Sequence, residues 1–365
     1  MAAALKDRYT RAYIARLAQA VAANDRGFDA GAFERAVLAR GWKQLELKAR
    51  MRRIAECLHK FVGGGYRRQI GVLKRVAPAF HDGDDSFLAM FFPDFVEVYG
   101  LDDFETSVDA LEHFTRFSSS EFAVRPFLIR YGERMLKVFA RWARSDNEHV
   151  RRLASEGSRP RLPWAMALPA FKRDPAPILP ILMSLLDDPS EFVRRSVANN
   201  LNDIAKDHPG VVLDAAAKHL GCNDNTDRLL KHACRTLLKR GDARALKLFG
   251  HDHEAEVAVE KLRLAARRIA IGERLGFSFF VRAAEPMRAR IEYTIDFVKA
   301  RGATSRKIFK IAERELPAGV AVGFERTHRF TDFSTRTHYP GRHRIAIVVN
   351  GRDRAAAMVT LSPAR

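Results

Sequence analysis

Three acidic residues of the 365-residue chain stand in surroundings that are otherwise basic and aromatic. Glu121 lies in 118–127 (SSSEFAVRPF), Glu156 in 151–164 (RRLASEGSRPRLPW) and Asp203 in 194–203 (RRSVANNLND). On a helix Arg152 and Glu156 share a face at i, i+4, and Arg195, Asn199 and Asp203 do so at i, i+4, i+8. The simplest account is a helix-surface salt bridge. Arg ahead of Glu is the weaker orientation, however, and such pairs contribute only ~0.2–0.5 kcal/mol. The segment 156–164 is harder to explain as scaffold. It holds a Gly that ends a helix, two Pro that forbid one, Arg159, Arg161 and Trp164 within nine residues. That composition suits a rigid loop presenting Arg to phosphate and Trp to a sugar or base. The alternative is a structural connection between repeats.

Other chemistries find little support. Gly63, Gly64 and Gly65 follow a helical stretch and lack the Lys-Ser/Thr of a phosphate-binding loop, so they read as a helix break. Asp82, Asp84 and Asp85 sit in a Gly-containing turn and read as a helix cap rather than a nuclease metal cluster. His251 and His253 form a lone pair at a domain junction, which reads as linker. Cys57, Cys222 and Cys234 have no close partner, so neither structural zinc nor a disulfide framework is expected.

The elements that must position the acids are helices up to about Gly250. The sequence 188–193 (DPSEFV) predicts a helix start, with Asp188 at the cap, Pro189 at the first helical position and Glu191 three residues after the cap. Val193, Val197 and Leu201 then recur on one face, and 208–210 (HPG) predicts the end. Similar units flank it at 146–154 (DNEHVRRLA) and 225–234 (NTDRLLKHAC). Val150 to Val193 is a spacing of 43 residues and Val193 to Leu229 one of 36. Such spacings suit helix pairs stacked as an α-solenoid of HEAT type. Arg151 and Arg152, Arg194 and Arg195, and Lys231 fall at equivalent positions and predict a basic track along one face, matched to a row of phosphates. The bland account is that Arg here solvates repeat edges.

From about Glu254 the period becomes two. Segments 276–282, 290–298, 306–311 and 343–351 read as strands, separated by turn-like Pro286, Gly302, Gly323, Pro340–Gly341 and Asn350–Gly351. Roughly seven strands in about 110 residues fit an immunoglobulin-like β-sandwich. The expected organisation is therefore mostly α: a HEAT-like α-solenoid over 1–250, then an all-β sandwich over 251–365. From Arg301 onward 13 Lys and Arg stand against five Asp and Glu. The basic, aromatic stretch 326–339 suits either contact with a sugar–phosphate backbone or an ordinary strand edge.

Charge points to a partner class, the bland alternative being an Arg-rich composition with no functional reason. Sixty-three Lys and Arg against 44 Asp and Glu leave a formal net charge of +19. A polyanion is expected, nucleic acid before an anionic membrane surface, because no segment has the amphipathic pattern of a membrane-surface helix. Hydrophobic residues at 47% exclude a disordered chain, and no apolar run approaches the ~18–20 residues of a membrane span. Residues 1–6 are too short and weakly apolar for a signal peptide, so a cytoplasmic protein is expected.

The stretches 119–127, 143–164 and 188–203 resemble the AlkC branch of bacterial DNA alkylation repair proteins, relatives of the AlkD HEAT-like glycosylases. The matching motifs lie between about 118 and 240, and the carboxy-terminal β-sandwich resembles the immunoglobulin-like extension of some members. The resemblance implies a monofunctional glycosylase acting on duplex DNA. It would release cationic methylated bases, chiefly 3-methyladenine and 3-methylcytosine, without a base-flipping pocket and without a cofactor or metal. By motif, Glu121, Glu156 and Asp203 would surround the deoxyribose and position water. Phe122 and Trp164 would form aromatic walls, and Arg152 and Arg159 would hold flanking phosphates. Arg161, Arg194, Arg195 and Asn199 complete the expected DNA-binding set. No obligate protein partner is implied, and a monomer is expected. The rival is a non-catalytic HEAT-repeat scaffold binding DNA or protein; a metal-dependent nuclease ranks last.

Overall fold

The computed structural model describes residues 4–81, 85–332 and 337–364. Asp82 and Asp84 of the expected cap lie outside them, and so does 333–336 of the basic aromatic stretch. The chain forms two compact units, Met1–His208 with Leu220–Ala233, and Pro209–His219 with Cys234–Arg365. The last helix, Ala243–Leu248, precedes the first strand at Val257. Compactness thus groups two helical stretches of the expected first domain with the strands. No helix among the described residues is long and apolar enough to cross a membrane.

The first unit is helical, and local sequence explains where its helices start. Asp103 accepts the Thr106 amide ahead of Phe104–Thr115, and Asn147 accepts the His149 and Val150 amides ahead of Glu148–Glu156. Each cap satisfies donors that the first turn leaves open. Leu47–Phe61 packs on Phe91–Tyr99, which packs on Phe104–Thr115, around buried Phe91, Phe92, Phe95 and Phe114. Glu148–Glu156, Glu191–Ile204 and Asp224–Ala233 then stack in series, the middle helix touching both others. Val193, Val197 and Leu201 are fully buried in that stack, each contributing ~1.5–3 kcal/mol. This is the HEAT-like arrangement the spacings predict.

Two helix boundaries differ from expectation. The middle helix begins at Glu191 after Ser190, not at Pro189. The Asp188 carboxylate accepts the Ser190 amide at 2.9 Å and is gripped by Arg151, so it belongs to the connection rather than to the cap. The helix ends at Ile204, and Pro209 opens the next one, Pro209–His219, where its missing N–H costs nothing.

The second unit carries β1 (Val257–Leu264), β2 (Arg268–Ala270), β3 (Arg274–Ala283), β4 (Met287–Val298), β5 (Thr304–Leu316), β6 (Val322–Arg329), β7 (Gly341–Val349) and β8 (Arg352–Ser362). One sheet has the order β1-β3-β6 and the other β2-β8-β7-β4-β5. All neighbours are antiparallel except β2 and β8. Leu275, Phe277, Phe279 and Val281 alternate inward along β3 and meet Ile291, Ile295, Ile345 and Ile347 in the core, as in a sandwich with an apolar inner face. Asn350 and Gly351, at φ 47° and 81°, make the left-handed pair that a two-residue hairpin between β7 and β8 requires. Gly323 proves to be a β6 residue facing Phe280 of β3, not a turn; a Cβ there would stand 3.2 Å from the Phe280 ring. His251 and His253, read as linker, lie by the Arg288 and Asn350 carbonyls within this unit.

Candidate functional site

The stacking of Glu148–Glu156 on Glu191–Ile204 brings Glu156 and Asp203 to one place, and the turn ahead of Val124–Tyr131 adds Glu121. These acids alternate with cations in a single row. Arg152 Nη1 lies 2.9 Å from Glu121 Oε2 and Arg152 Nη2 lies 3.9 Å from Glu156 Oε1. Arg159 donates from Nη1 to Glu156 Oε1 at 2.6 Å and from Nε to Asp203 Oδ2 at 2.9 Å. Lys206 Nζ closes the row on Asp203 Oδ1 at 2.8 Å. Glu156 is 5% exposed and Asp203 2%. The weak surface pair is therefore not what these residues form. Buried charges persist only when paired and hydrogen-bonded, and here each is.

Hydroxyls complete the shell. Ser196 Oγ donates to Glu156 Oε2 at 2.6 Å and lies 2.9 Å from Ser155 Oγ, while Ser119 Oγ donates to Glu121 Oε2 at 2.8 Å. Glu121 Oε1 has no partner among the described residues, which leaves it open to an incoming group. Behind the row, fully buried Arg125 donates from Nε to the Met166 carbonyl at 2.7 Å and from Nη1 to the Gly157 carbonyl at 3.0 Å. It thereby fastens both ends of the loop that carries Arg159, Arg161 and Trp164. Burial, with Arg159 nearby, lowers the Arg125 pKa to about 10, which still leaves it charged at neutral pH. Burial also opposes the charge on Arg159, yet Glu156 and Asp203 outweigh it and hold that pKa above its ordinary value.

The loop itself is an unusual presentation. Trp164 has a left-handed φ of 64°, worth ~1–3 kcal/mol of strain in a bulky residue, and stands 66% exposed. Its carbonyl accepts Lys48 Nζ at 3.0 Å, and the same ammonium lies 5.0 Å from the Phe122 ring centre. Phe192, half-exposed and absent from the expected set, lies 4.5 Å under the Arg152 guanidinium and holds it flat by cation–π contact.

The remaining expected residues divide into two groups. Arg161 pairs with Asp207 at 2.7 Å, Arg195 pairs with Glu191 at 3.0 Å, and Asn199 meets His232 at 3.3 Å, all at accessible positions. Arg195 also lines a groove of about 540 Å³ with Arg194, Asn225, Arg228 and His232. By contrast, Arg151 and Arg194 are largely spent on structure. Arg151 is bidentate on Asp188 and also donates to the Ser145 and Asp146 carbonyls, while Arg194 donates to the Asp188 and Pro189 carbonyls. The equivalent positions thus do not form one uniform track. Arg159, expected to grip phosphate, is 8% exposed and committed to two carboxylates, so it holds the acids rather than facing outward. Ser196, Lys206, Phe192 and Arg125 escape sequence reasoning; a serine, a lysine three residues after an acid and one arginine among many carry no local signal. Among the described residues no group of three or more His, Cys, Asp or Glu is placed to hold a metal ion.

Comparison with known proteins agrees with this organisation. A family profile described as DNA alkylation repair enzyme matches residues 101–237, and one described as the C-terminal Ig-like domain of uncharacterised protein YhaZ matches 258–363. The chain is 44% identical over 347 residues to protein YhaZ of Bacillus subtilis (strain 168), covering 95% of this chain and 96% of that one. It is 40% identical to Pseudomonas fluorescens alkylpurine DNA glycosylase AlkC, solved bound to DNA containing an abasic site analogue. That match covers 99% of this chain and 100% of the other, with a TM-score of 0.94.

Proposed function

Because the chain belongs to the AlkC type of the DNA alkylation repair family, with an Ig-like carboxy-terminal domain, we propose that it is a monofunctional DNA glycosylase. Its substrates are cationic alkylated bases in duplex DNA, 3-methyladenine and 3-methylcytosine foremost, and its products are the free base and an abasic site. The observation that carries this reading is the row Glu121, Arg152, Glu156, Arg159, Asp203, Lys206.

The chemistry follows from the leaving group. A cationic base departs with the glycosidic electron pair and becomes neutral, so little general-acid work is needed. The costly species is the oxocarbenium-like sugar, which fixed carboxylates stabilise without reorganising. Arg159, Arg152 and Ser196 keep the acids aimed, and Glu121, with one open oxygen, takes the proton of the water that attacks C1′. Arg152 and Arg161 meet phosphate, for which guanidinium is suited. Trp164 and Phe122 offer aromatic faces to the sugar and the cationic base. Action on the sugar without flipping the base into a pocket is part of the same reading.

The test is release of 3-methyladenine from methylated duplex DNA with EDTA present. Appearance of the free base with an intact strand supports the proposal. DNA binding without release, on DNA that another glycosylase processes, returns the chain to the scaffold reading. Release only on adding a divalent metal ion sinks the metal-free mechanism.

A further inference from the structure

An acid that is 2% exposed cannot touch a sugar while its covers stay in place. Asp203 has two. Arg159 on Oδ2 is buried and also fastened to Glu156, so it is fixed at two points. Lys206 on Oδ1 is different: its side chain is 35% exposed, and its ammonium has no second partner among the described residues. It follows the Glu191–Ile204 helix, so its four-carbon stem can swing outward without breaking a helical hydrogen bond of that element. An ion pair with one partly exposed member is weakly held, and a phosphate offers the ammonium an equivalent partner.

Resting on the glycosylase reading above, we propose that Lys206 is an exchangeable cap: it trades Asp203 for a backbone phosphate of bound DNA and so uncovers Asp203 Oδ1 where the sugar cation develops. DNA binding and activation of the acid are then one event. Asp203 keeps Arg159 throughout, so it stays held in place after the cap leaves, and the free protein is protected from holding an exposed acid against an anionic ligand. Lys206 acts as a positioning residue, through Asp203.

The experiment is a chemical double-mutant cycle on the full chain. Duplexes carry one 3-methylcytosine and a single neutral methylphosphonate, moved one position at a time through the flanking phosphates. Base release is followed under single turnover at saturating protein, which removes affinity from the rate. At one position the wild-type rate is expected to fall about tenfold, the size of one charge-assisted hydrogen bond, because Lys206 stays on Asp203. Lys206→Ala, permanently uncapped, is expected to bind intact DNA more weakly and to ignore the methylphosphonate at that position, its rate on that duplex equal to its own rate on intact DNA. Lys206→Arg, which can still exchange, should behave as wild type. Equal sensitivity of wild type and Lys206→Ala at every position overturns the exchange, as does a wild-type rate that no methylphosphonate position lowers. Absence of release by wild type from unmodified methylated DNA is a separate result, which brings down the glycosylase reading and this inference with it.

Discussion

Replacing Glu156 by Gln tests the acid row at its centre. The carboxylate accepts Arg159 on one oxygen and Ser196 on the other, both at 2.6 Å. The amide can keep its oxygen toward Arg159 and turn its NH₂ to Ser196, whose hydroxyl then accepts while donating to Ser155, 2.9 Å away. No donor is forced against a donor, so folding loses only the difference between a charged and a neutral hydrogen bond, about 1–1.5 kcal/mol. Catalysis loses more. Removing one fixed electrostatic group from a developing charge costs about 10²–10³ in rate, or ~2.7–4 kcal/mol. The expected outcome is a base-release rate down at least a hundredfold, with DNA binding equal or slightly tighter because one negative charge has gone. The assay is single-turnover release from a duplex containing 3-methylcytosine, in EDTA, with thermal unfolding measured alongside. A Glu156→Gln protein that binds fully and releases base within threefold of wild type would refute the assignment of Glu156.

Other expectations follow from the same geometry. Arg159→Ala leaves two buried acids without their shared cation and should cost about 3–5 kcal/mol of stability by denaturant unfolding; a loss under 1 kcal/mol would contradict the buried bridge. DNA affinity should fall steeply with salt, losing roughly 10³ or more between 50 and 200 mM if six or more phosphates are met, and a flat response would favour a protein partner. Burial lowers the pKa of fully buried His343, despite its contact with the Tyr339 carbonyl. The unfolded chain therefore takes up a proton that the folded one refuses below about pH 6.5. Stability of the β-rich unit should drop as pH falls from 7 to 5, and the drop should shrink in His343→Gln. An unchanged pH slope in that variant would remove His343 from the account.

Sequence made the acids, the loop and the two-part organisation legible because each leaves a local trace. Alternating apolar residues announce β3, and two Pro around Arg161 forbid helix where the loop must bend. What escaped depends on atoms far apart in the chain. Arg125 works through carbonyls 32 and 41 residues away, and backbone carbonyls have no residue code. Lys206 three residues after Asp203 is indistinguishable from an ordinary helix-surface pair until Asp203 is seen to be buried. Arg194 and Arg195 line the same groove, yet Arg194 also turns back on the Asp188 and Pro189 carbonyls while Arg195 pairs with Glu191, a difference their sequence does not show. Asp188 looks like a cap because Asp-Pro-Ser so often is one, and Ser190 wins because Arg151 claims the Asp188 carboxylate.

The hairpin at Asn350 and Gly351 bears on how the protein ages. Asn-Gly is the dipeptide most prone to deamidation, because an unhindered glycine amide can attack the asparagine side chain and close a succinimide. Here the Asn350 side chain is held on both sides: Oδ1 accepts the Arg290 amide at 2.7 Å, and Nδ2 donates to the Asp252 carbonyl at 2.8 Å and the Arg288 carbonyl at 3.2 Å. Ring closure must first pull that amide from three partners in a fully buried position. Formation of isoaspartate at this site on storage therefore clocks transient opening of the β7–β8 turn.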